Sequence, residues 1–207
     1  MFVAVIPPAE AIGDLAGFLE PRQEAGEQLR WTDANQWHVT LAFMPDVPDR
    51  TVEPLVERLA ARATRFTAET VSIAGAGAFP NPYKARVLWA GVHGQVDGGL
   101  RTLATGIRHA CSGAGAAPEG GPFHPHITLA RLRRPVEATR WLRVLDLYAG
   151  PAWTAGEVTL VASHLGEGRG NRPRYEEVAS FPLGARPRDQ APDAGRPRQD
   201  SNLRPRD

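Results

Sequence analysis

The stretch PFHPHITLAR (Pro122–Arg131) and the stretch WHVTLAF (Trp37–Phe43) share a five-residue pattern. Aligned on His126 and His38, they read His-Ile-Thr-Leu-Ala and His-Val-Thr-Leu-Ala. Both are short apolar runs rich in β-branched residues, which favours a buried strand in each case. The repeated pattern therefore predicts two equivalent strands in one fold.

The histidine and the threonine of each stretch are two positions apart. Because side chains alternate between the two faces of a strand, His38 and Thr40 are expected to lie on one face, and His126 and Thr128 repeat the arrangement. The apolar residues between them point the other way, into a core. Two such strands bordering one cleft would place two imidazoles on opposite sides of a small substrate.

This arrangement suits acid–base chemistry at a phosphate ester. Histidine has an unperturbed pKa of about 6.5, so one neutral imidazole can take a proton from water while a second, protonated imidazole gives one to a leaving oxygen. The threonine hydroxyls can donate hydrogen bonds to the phosphoryl oxygens, whose charge grows in the transition state. The chemistry requires no metal ion, and no cofactor is predicted.

With these residues the chain resembles the two-histidine phosphoesterases, and among them the RNA 2′,3′-cyclic phosphodiesterases, also called 2′-5′ RNA ligases. The resemblance rests on HVTLAF, on PFHPHITLAR and on their positions in a chain of this length, and extends more weakly from Phe2 to about Leu183. It implies hydrolysis of RNA 2′,3′-cyclic phosphate ends to 2′-phosphomonoesters, and the reverse joining of ends through a 2′-5′ linkage. It also implies that His126 is the base and His38 the acid, whereas the chemistry alone allows either assignment.

The remainder of the chain predicts an α+β fold. Apolar residues at helical spacing predict helices at Pro8–Glu20, Asp49–Phe66, Val96–Ser112 and Val136–Leu147. Besides the second histidine strand, strands are predicted at Phe2–Ile6, Trp37–Met44, Thr67–Ala74, Ala85–Val92, Val158–Leu165 and Tyr175–Phe181, with a loop at Gly75–Lys84. This order indicates an internal duplication into two lobes, each a mainly antiparallel sheet with helices outside. The resemblance implies a bilobal, pseudo-two-fold fold whose sheets face a central cleft.

Phe43 and Arg131 each lie five positions after their histidine. Strict alternation makes Phe43 a core residue and leaves Arg131 unexplained. The resemblance instead places both at the cleft, with Phe43 stacking on a terminal base and Arg131 pairing with phosphate. That position requires the second strand to bulge or end near Ala130. Tyr175 matches an aromatic residue of the family's C-terminal strand, so it either lines the cleft or simply packs.

Several further residues allow two interpretations each. Phe123 either walls the pocket or packs in the core. His124 and His126 form a His-x-His pair of the kind that binds metals, although the additional ligands such a site needs are not visible in the sequence. Loop arginines either form a basic rim for an RNA strand or are simply solvated: Arg169, Arg172 and Arg174. The remaining histidines are expected at surface or packing positions: His93, His109 and His164.

Composition limits the class of protein. The chain has 207 residues and 42% hydrophobic content, which predicts one globular phosphoesterase domain over residues 1–184. No apolar run is long enough to span a membrane, and the N-terminus lacks the pattern of a signal peptide. The single cysteine, Cys111, excludes an internal disulfide and fits a reducing cytoplasm.

Residues 185–207 contain six arginines and four aspartates but few apolar residues, which predicts a disordered Pro/Arg-rich tail. We interpret this tail as non-functional, and a basic arm that binds RNA is the alternative. Without residues 185–207, 18 basic and 19 acidic residues remain. A nearly neutral domain does not form a broad surface for duplex nucleic acid, so RNA is expected to be held locally, at an end.

The predicted partners are RNA ends or nucleoside 2′,3′-cyclic phosphates; no membrane or protein partner is implied, and a monomer is expected. Two other functions remain open: a phosphodiesterase for another small cyclic phosphate, and a nucleotide- or RNA-binding module without turnover. Two intact His-x-Thr pairs favour an enzyme, because binding alone does not require two proton-transfer groups.

Overall fold

The computed structural model describes residues 1–26, 29–96, 98–168 and 172–184, and the predicted tail lies outside them. Within these residues the chain forms an α+β fold of four helices and nine strands, which confirms the predicted class. The helices are α1 (Ala9–Ala25), α2 (Asp49–Ala63), α3 (Gly99–Gly113) and α4 (Thr139–Leu145). The strands are β1 (Phe2–Val5), β2 (Arg30–Trp31), β3 (Val39–Phe43), β4 (Glu69–Phe79), β5 (Ala85–Gly94), β6 (His126–Val136), β7 (Ala149–Ala155), β8 (Glu157–Gly168) and β9 (Arg172–Pro182).

The strands pair antiparallel in the order β7-β4-β5-β6-β3-β1-β8-β9, and β2 also pairs with β6. The two histidine strands, β3 and β6, are neighbours at the middle of this order. In the described part of the chain they pair in register at one position, Val39 with Ile127. This narrow join divides the strands into two halves, β7-β4-β5-β6 and β3-β1-β8-β9, so the two predicted sheets meet edge to edge at the histidine strands.

Each half carries its own helices. α1 packs against β7 and α4 against β4, whereas α2 and α3 pack against each other and against β3, β8 and β9. Each half therefore has four principal strands and two helices, in agreement with the predicted bilobal, pseudo-two-fold architecture. No helix in the described residues is long and apolar enough to cross a membrane.

The core-facing sides of the histidine strands are fully buried. Val39, Leu41, Ile127 and Leu129 are each at most 1% exposed. Burial of one such side chain contributes about 1.5–3 kcal/mol relative to leaving it in water. Turning either strand over would expose these side chains, so their burial fixes the orientation that presents the histidines and threonines to the other face.

The predicted loop at Gly75–Lys84 is wrong in its first half, because β4 continues to Phe79. Gly75 has a φ of 69°, a left-handed conformation that glycine adopts without steric cost. The pairing of β4 with β5 shifts register at this point. The glycine therefore introduces a bulge and not a turn, and it carries β4 onward to the site described below.

Other differences concern β2, β7 and the end of α1. Neither β2 nor β7 is predicted from the sequence. β7 lacks a run of β-branched residues and contains Pro151. This proline is tolerated because β7 is an edge strand. α1 was predicted to end at Glu20 but continues past Pro21 to Ala25. Burial of Leu19 in the preceding turn, and a hydrogen bond from the Arg22 guanidinium to the Phe18 carbonyl, stabilise this last part.

Candidate active site

Each histidine strand carries a β-bulge three residues after its histidine. In β3 the extra residue is Leu41, because the pairing with β1 steps from Thr40 to Ala42. In β6 the extra residue is Leu129, since the pairing with β5 makes the same step. A bulge changes the face on which the following side chains lie.

The bulges explain the position of the residue five places after each histidine. Ala42 and Ala130 are buried next to the bulged leucines, and the chain then turns Phe43 and Arg131 out of the core. Phe43 is 41% exposed, so the interpretation of it as a core residue is wrong. The bulge required for Arg131 to reach the cleft is present in β6 and is matched in β3.

His38 is oriented by its own backbone and by two aromatic rings. Its Nδ1 lies 2.7 Å from the carbonyl oxygen of Gln36. Because a carbonyl oxygen only accepts, Nδ1 carries the hydrogen, which leaves Nε2 for proton exchange. The ring stacks on Phe2 at 4.5 Å between centroids and meets Tyr175 edge-on at 5.5 Å.

His126 is oriented in the same way. Its Nδ1 lies 2.6 Å from the carbonyl oxygen of His124, again two residues earlier, so its Nε2 is also free. Phe79 contacts the ring edge-on at 5.0 Å, and Trp89 packs at 5.8 Å. A side chain at Gly77 would overlap the Trp89 ring, so this glycine allows Trp89 to lie against His126.

A cavity of about 280 Å³ lies between the two halves of the fold. Its lining residues are His38, Gln36, Arg172, Pro173 and Tyr175 on one side, and Arg30, Trp31, Thr32, Thr128 and Arg131 on the other. The cavity thus brings together four of the seven predicted site residues. The other three are not lining residues: His126 and Thr40 are half-buried on the polar faces of their strands, and Phe43 is exposed.

Burial is the main reason that the pKa of each site histidine lies below its ordinary value. Positive charge on Arg131 lowers both pKa values further, and charge on His126 lowers the pKa of His38. The hydrogen bonds from Nδ1 oppose this shift because they stabilise the imidazolium. The two imidazoles therefore interact electrostatically, so protonation of one disfavours protonation of the other.

The predicted arginine rim is realised in part. Arg172 lines the cavity and forms an ion pair with Asp33. Arg174 points its charge to Glu167 at 2.8 Å and to Glu176 at 2.9 Å, and so is neutralised away from the cavity. Arg169 lies outside the described residues.

Phe123 is 7% exposed and belongs to the main core, which supports its packing interpretation. The His124 side chain is exposed, and the described residues contain no cluster of three or more histidine, cysteine or acidic side chains placed to hold a metal. His93 lies 3.1 Å from the Ala74 carbonyl and His164 lies 3.2 Å from Glu176. These two histidines and exposed His109 are thus at surface or packing positions, as predicted.

Sequence reasoning missed the aromatic rings that hold the histidines, Phe2, Phe79 and Trp89, and the pair Arg30–Trp31 in the cavity wall. Phe2 was assigned to a strand, but nothing in its neighbours indicated that it stacks on His38. Phe79 falls within the predicted loop Gly75–Lys84, beyond the end of the predicted strand Thr67–Ala74. Arg30 and Trp31 lie between the predicted helix Pro8–Glu20 and the predicted strand Trp37–Met44, in a polar segment for which no element is predicted.

The family model, the relatives and the solved structure that match this chain agree with one another. The family model of the 2′-5′ RNA ligase superfamily matches residues 9–167. A Thermus thermophilus protein named RNA 2′,3′-cyclic phosphodiesterase is 32% identical over 94% of this chain and 96% of its own length. A Geobacillus stearothermophilus protein of the same name is 30% identical over 88% of this chain, but the match spans only 56% of that relative. The crystal structure of Escherichia coli LigT complexed with 3′-AMP superposes with a TM-score of 0.69, at 26% identity, over 88% of this chain and 96% of LigT.

Proposed function

The chain belongs to the 2′-5′ RNA ligase superfamily, and from that premise we propose that it hydrolyses RNA 2′,3′-cyclic phosphate ends to 2′-phosphomonoesters. The observation that carries the proposal is the matched pair of imidazoles at the join of β3 and β6. Each has its Nδ1–H committed to the carbonyl two residues earlier and its Nε2 left free. Relatives named RNA 2′,3′-cyclic phosphodiesterase support the same substrate, and the 3′-AMP complex of LigT supports a nucleotide as ligand.

In the proposed reaction His126 is the general base. Its lowered pKa keeps the imidazole neutral near neutral pH, so Nε2 accepts a proton from water as the water oxygen bonds to phosphorus. The fixed Nδ1–H means that the imidazolium formed is stabilised by the His124 carbonyl.

His38 is the general acid. It donates a proton from Nε2 to the 3′ oxygen as the bond between phosphorus and that oxygen breaks, leaving a 2′-phosphate and a free 3′-hydroxyl. Burial lowers the pKa of His38 in the free enzyme, and the negative charge of a bound phosphate acts in the opposite direction. Substrate binding therefore favours the protonated form that the step requires.

Thr40, Thr128 and Arg131 hold the non-bridging phosphoryl oxygens in this proposal. The threonines share the strand faces of the histidines, and Arg131 lines the cavity with Thr128. A guanidinium beside phosphate stabilises the charge that develops in the transition state. Phe43 and Tyr175 take the base and the ribose side, with Phe43 stacking through its exposed ring.

With the 5′-hydroxyl of a second RNA end in the place of water, the same site would join the two ends. That oxygen would bond to the phosphorus of the cyclic phosphate and give its proton to His126, the bond to the 3′ oxygen would break, and a 2′-5′ linkage would result. We propose a monomeric, metal-independent enzyme of the cytoplasm. A buried Cys111 thiol, whose pKa burial raises to about 11, is unreactive and fits a reducing compartment.

The test is turnover of adenosine 2′,3′-cyclic phosphate by purified protein in EDTA, with the product identified by ³¹P NMR. We expect undiminished turnover and 2′-AMP as the product. The His109→Ala variant is the matched control for a substitution of either site histidine, and it should turn over the substrate like the wild type. His109 is exposed on α3 and does not line the cavity. Activity that is lost in EDTA and restored by zinc or manganese would contradict the metal-independent mechanism. Binding without turnover would favour the nucleotide-binding module.

A further inference from the structure

Two arginines face each other in the wall of the cavity. Arg30 of β2 lies directly opposite Arg131 of β6 in the antiparallel register, and both line the cavity. Like charges in such positions destabilise a sheet. Within the described residues neither guanidinium forms an ion pair with a carboxylate. Among the described residues, no carboxylate thus compensates the repulsion between them.

The backbone holds this repulsive pair in place. The Thr32 amide donates to the Leu129 carbonyl at 2.8 Å, which fixes β2 beside the bulge of β6. The Trp31 indole donates to the Gly26 carbonyl at 3.2 Å, and its ring packs edge-on against Trp141 at 5.8 Å. These contacts anchor the two residues after Arg30 and so hold its backbone opposite Arg131.

The charges of the cavity exceed what one cyclic phosphate needs. Three arginines line it, and Asp33 neutralises one of them, Arg172. None of its lining residues in the described chain is acidic. A cyclic phosphodiester carries one negative charge, which Arg131 matches, and the Arg30 charge remains. The next phosphodiester of an RNA strand carries one negative charge as well.

We infer that Arg30 and Trp31 form a second subsite in this cavity, which binds the phosphodiester one nucleotide upstream of the reacting end. Arg30 pairs with that phosphate, and the half-buried Trp31 lines the same cavity beside it. A basic group next to an aromatic ring is the combination that binds single-stranded nucleic acid. This inference rests on the proposed function and adds a preference for oligonucleotide ends over mononucleotides.

The test compares kcat/KM for a trinucleotide ending in a 2′,3′-cyclic phosphate with kcat/KM for the matching cyclic mononucleotide. We expect the wild type to prefer the trinucleotide and Arg30→Gln to reduce that preference about tenfold, the low end for a hydrogen bond to a charged group. Arg133→Gln is the matched control: an exposed arginine of β6 that does not line the cavity. It should leave the preference unchanged.

Two further measurements separate binding from structure. Arg30→Gln should melt at the same temperature as the wild type or higher, because it removes a repulsion. With the wild type alone, kcat/KM for the trinucleotide should fall more steeply with salt than kcat/KM for the mononucleotide, since one more phosphate is contacted.

The possible results separate the second subsite at Arg30 from the proposed phosphodiesterase activity. An unchanged preference in Arg30→Gln, or equal salt slopes for the two substrates, would overturn the second subsite while leaving the proposed activity intact. A wild type that hydrolyses neither substrate would overturn the proposed function, and the subsite with it.

Discussion

The two histidine strands use the same backbone with different side chains around it. In β3 and in β6 the imidazole Nδ1 donates to the carbonyl two residues earlier, and an extra leucine bulges the strand three residues later. The consequence is the same in both: Nε2 is free, and the residue five places on leaves the core. A repeated motif thus fixes the orientation of the imidazole twice.

The surroundings of the two histidines differ. His38 stacks face-on against Phe2 and lines the cavity, and its strand ends in the exposed ring of Phe43. His126 meets Phe79 edge-on, and its strand presents a guanidinium at the equivalent place. The motif therefore orients two imidazoles in the same way, whereas the residue after the bulge decides what else each half presents: an aromatic surface on one side and a positive charge on the other.

Removal of either site histidine tests the imidazole geometry that the two halves have in common. His38→Ala and His126→Ala should each lower kcat by at least about 10²-fold, because each removes a proton-transfer group. The double variant should be scarcely slower than the slower single variant, since the two groups act in one step. Single-turnover and steady-state rates on a 2′,3′-cyclic nucleotide measure both effects.

Both variants should remain folded, because each imidazole is only half-buried and its removal leaves the apolar faces of β3 and β6 intact. Thermal melting and circular dichroism provide this control. Near-wild-type turnover in either variant, or unfolding of both, would show that the shared geometry orients core histidines and not a catalytic pair.

Substitutions of Arg131 and Phe43 test the residues that differ between the two halves, and they should have smaller effects on turnover. Arg131→Gln should lower kcat by about 10-fold to 10³-fold, as expected when a donor to a developing negative charge is lost. Phe43→Leu should act mainly on KM and by about 1 kcal/mol, or about fivefold, which is the low end for base stacking. Steady-state kinetics on one cyclic nucleotide separate the two effects.

Exposed residues away from the cavity serve as controls: Arg134→Gln on the same strand as Arg131, and Tyr83→Leu as a 75% exposed aromatic residue. Both should be silent. If Arg131→Gln and Phe43→Leu changed kcat and KM in the same proportions, the proposal that Arg131 stabilises charge and Phe43 stacks on the base would be wrong.

Much of what the two histidine strands share could be predicted from the sequence. The alternation of His, Thr and apolar residues identified both strands, the face that carries the histidines and the α+β class. It did so because burial of Val39, Leu41, Ile127 and Leu129 leaves one orientation available. Local pattern also located all four helices.

What the sequence did not reveal depends on distant contacts. A bulge at Leu41 or Leu129 arises from pairing with a neighbouring strand, so alternation within the strand alone assigned Phe43 to the core. Phe79 reaches His126 because Gly75 bends β4 without ending it. Arg30 reaches the cavity by pairing with a strand about a hundred residues later in the chain. Such contacts leave no periodic signal.

The assignment of acid and base is most directly tested by the pH dependence of kcat/KM for the wild type and the two histidine variants. In the free enzyme both imidazole pKa values are lowered, so the wild-type bell should lie on the acid side of about 6.5. In the proposed mechanism His126 must be neutral to accept a proton, which produces the acid limb, and His38 must be protonated to donate one, which produces the alkaline limb. We predict that residual activity in His126→Ala loses the acid limb and that in His38→Ala it loses the alkaline limb. Variants that each keep both limbs would contradict the two-histidine mechanism, and loss of the opposite limbs would reverse the two roles.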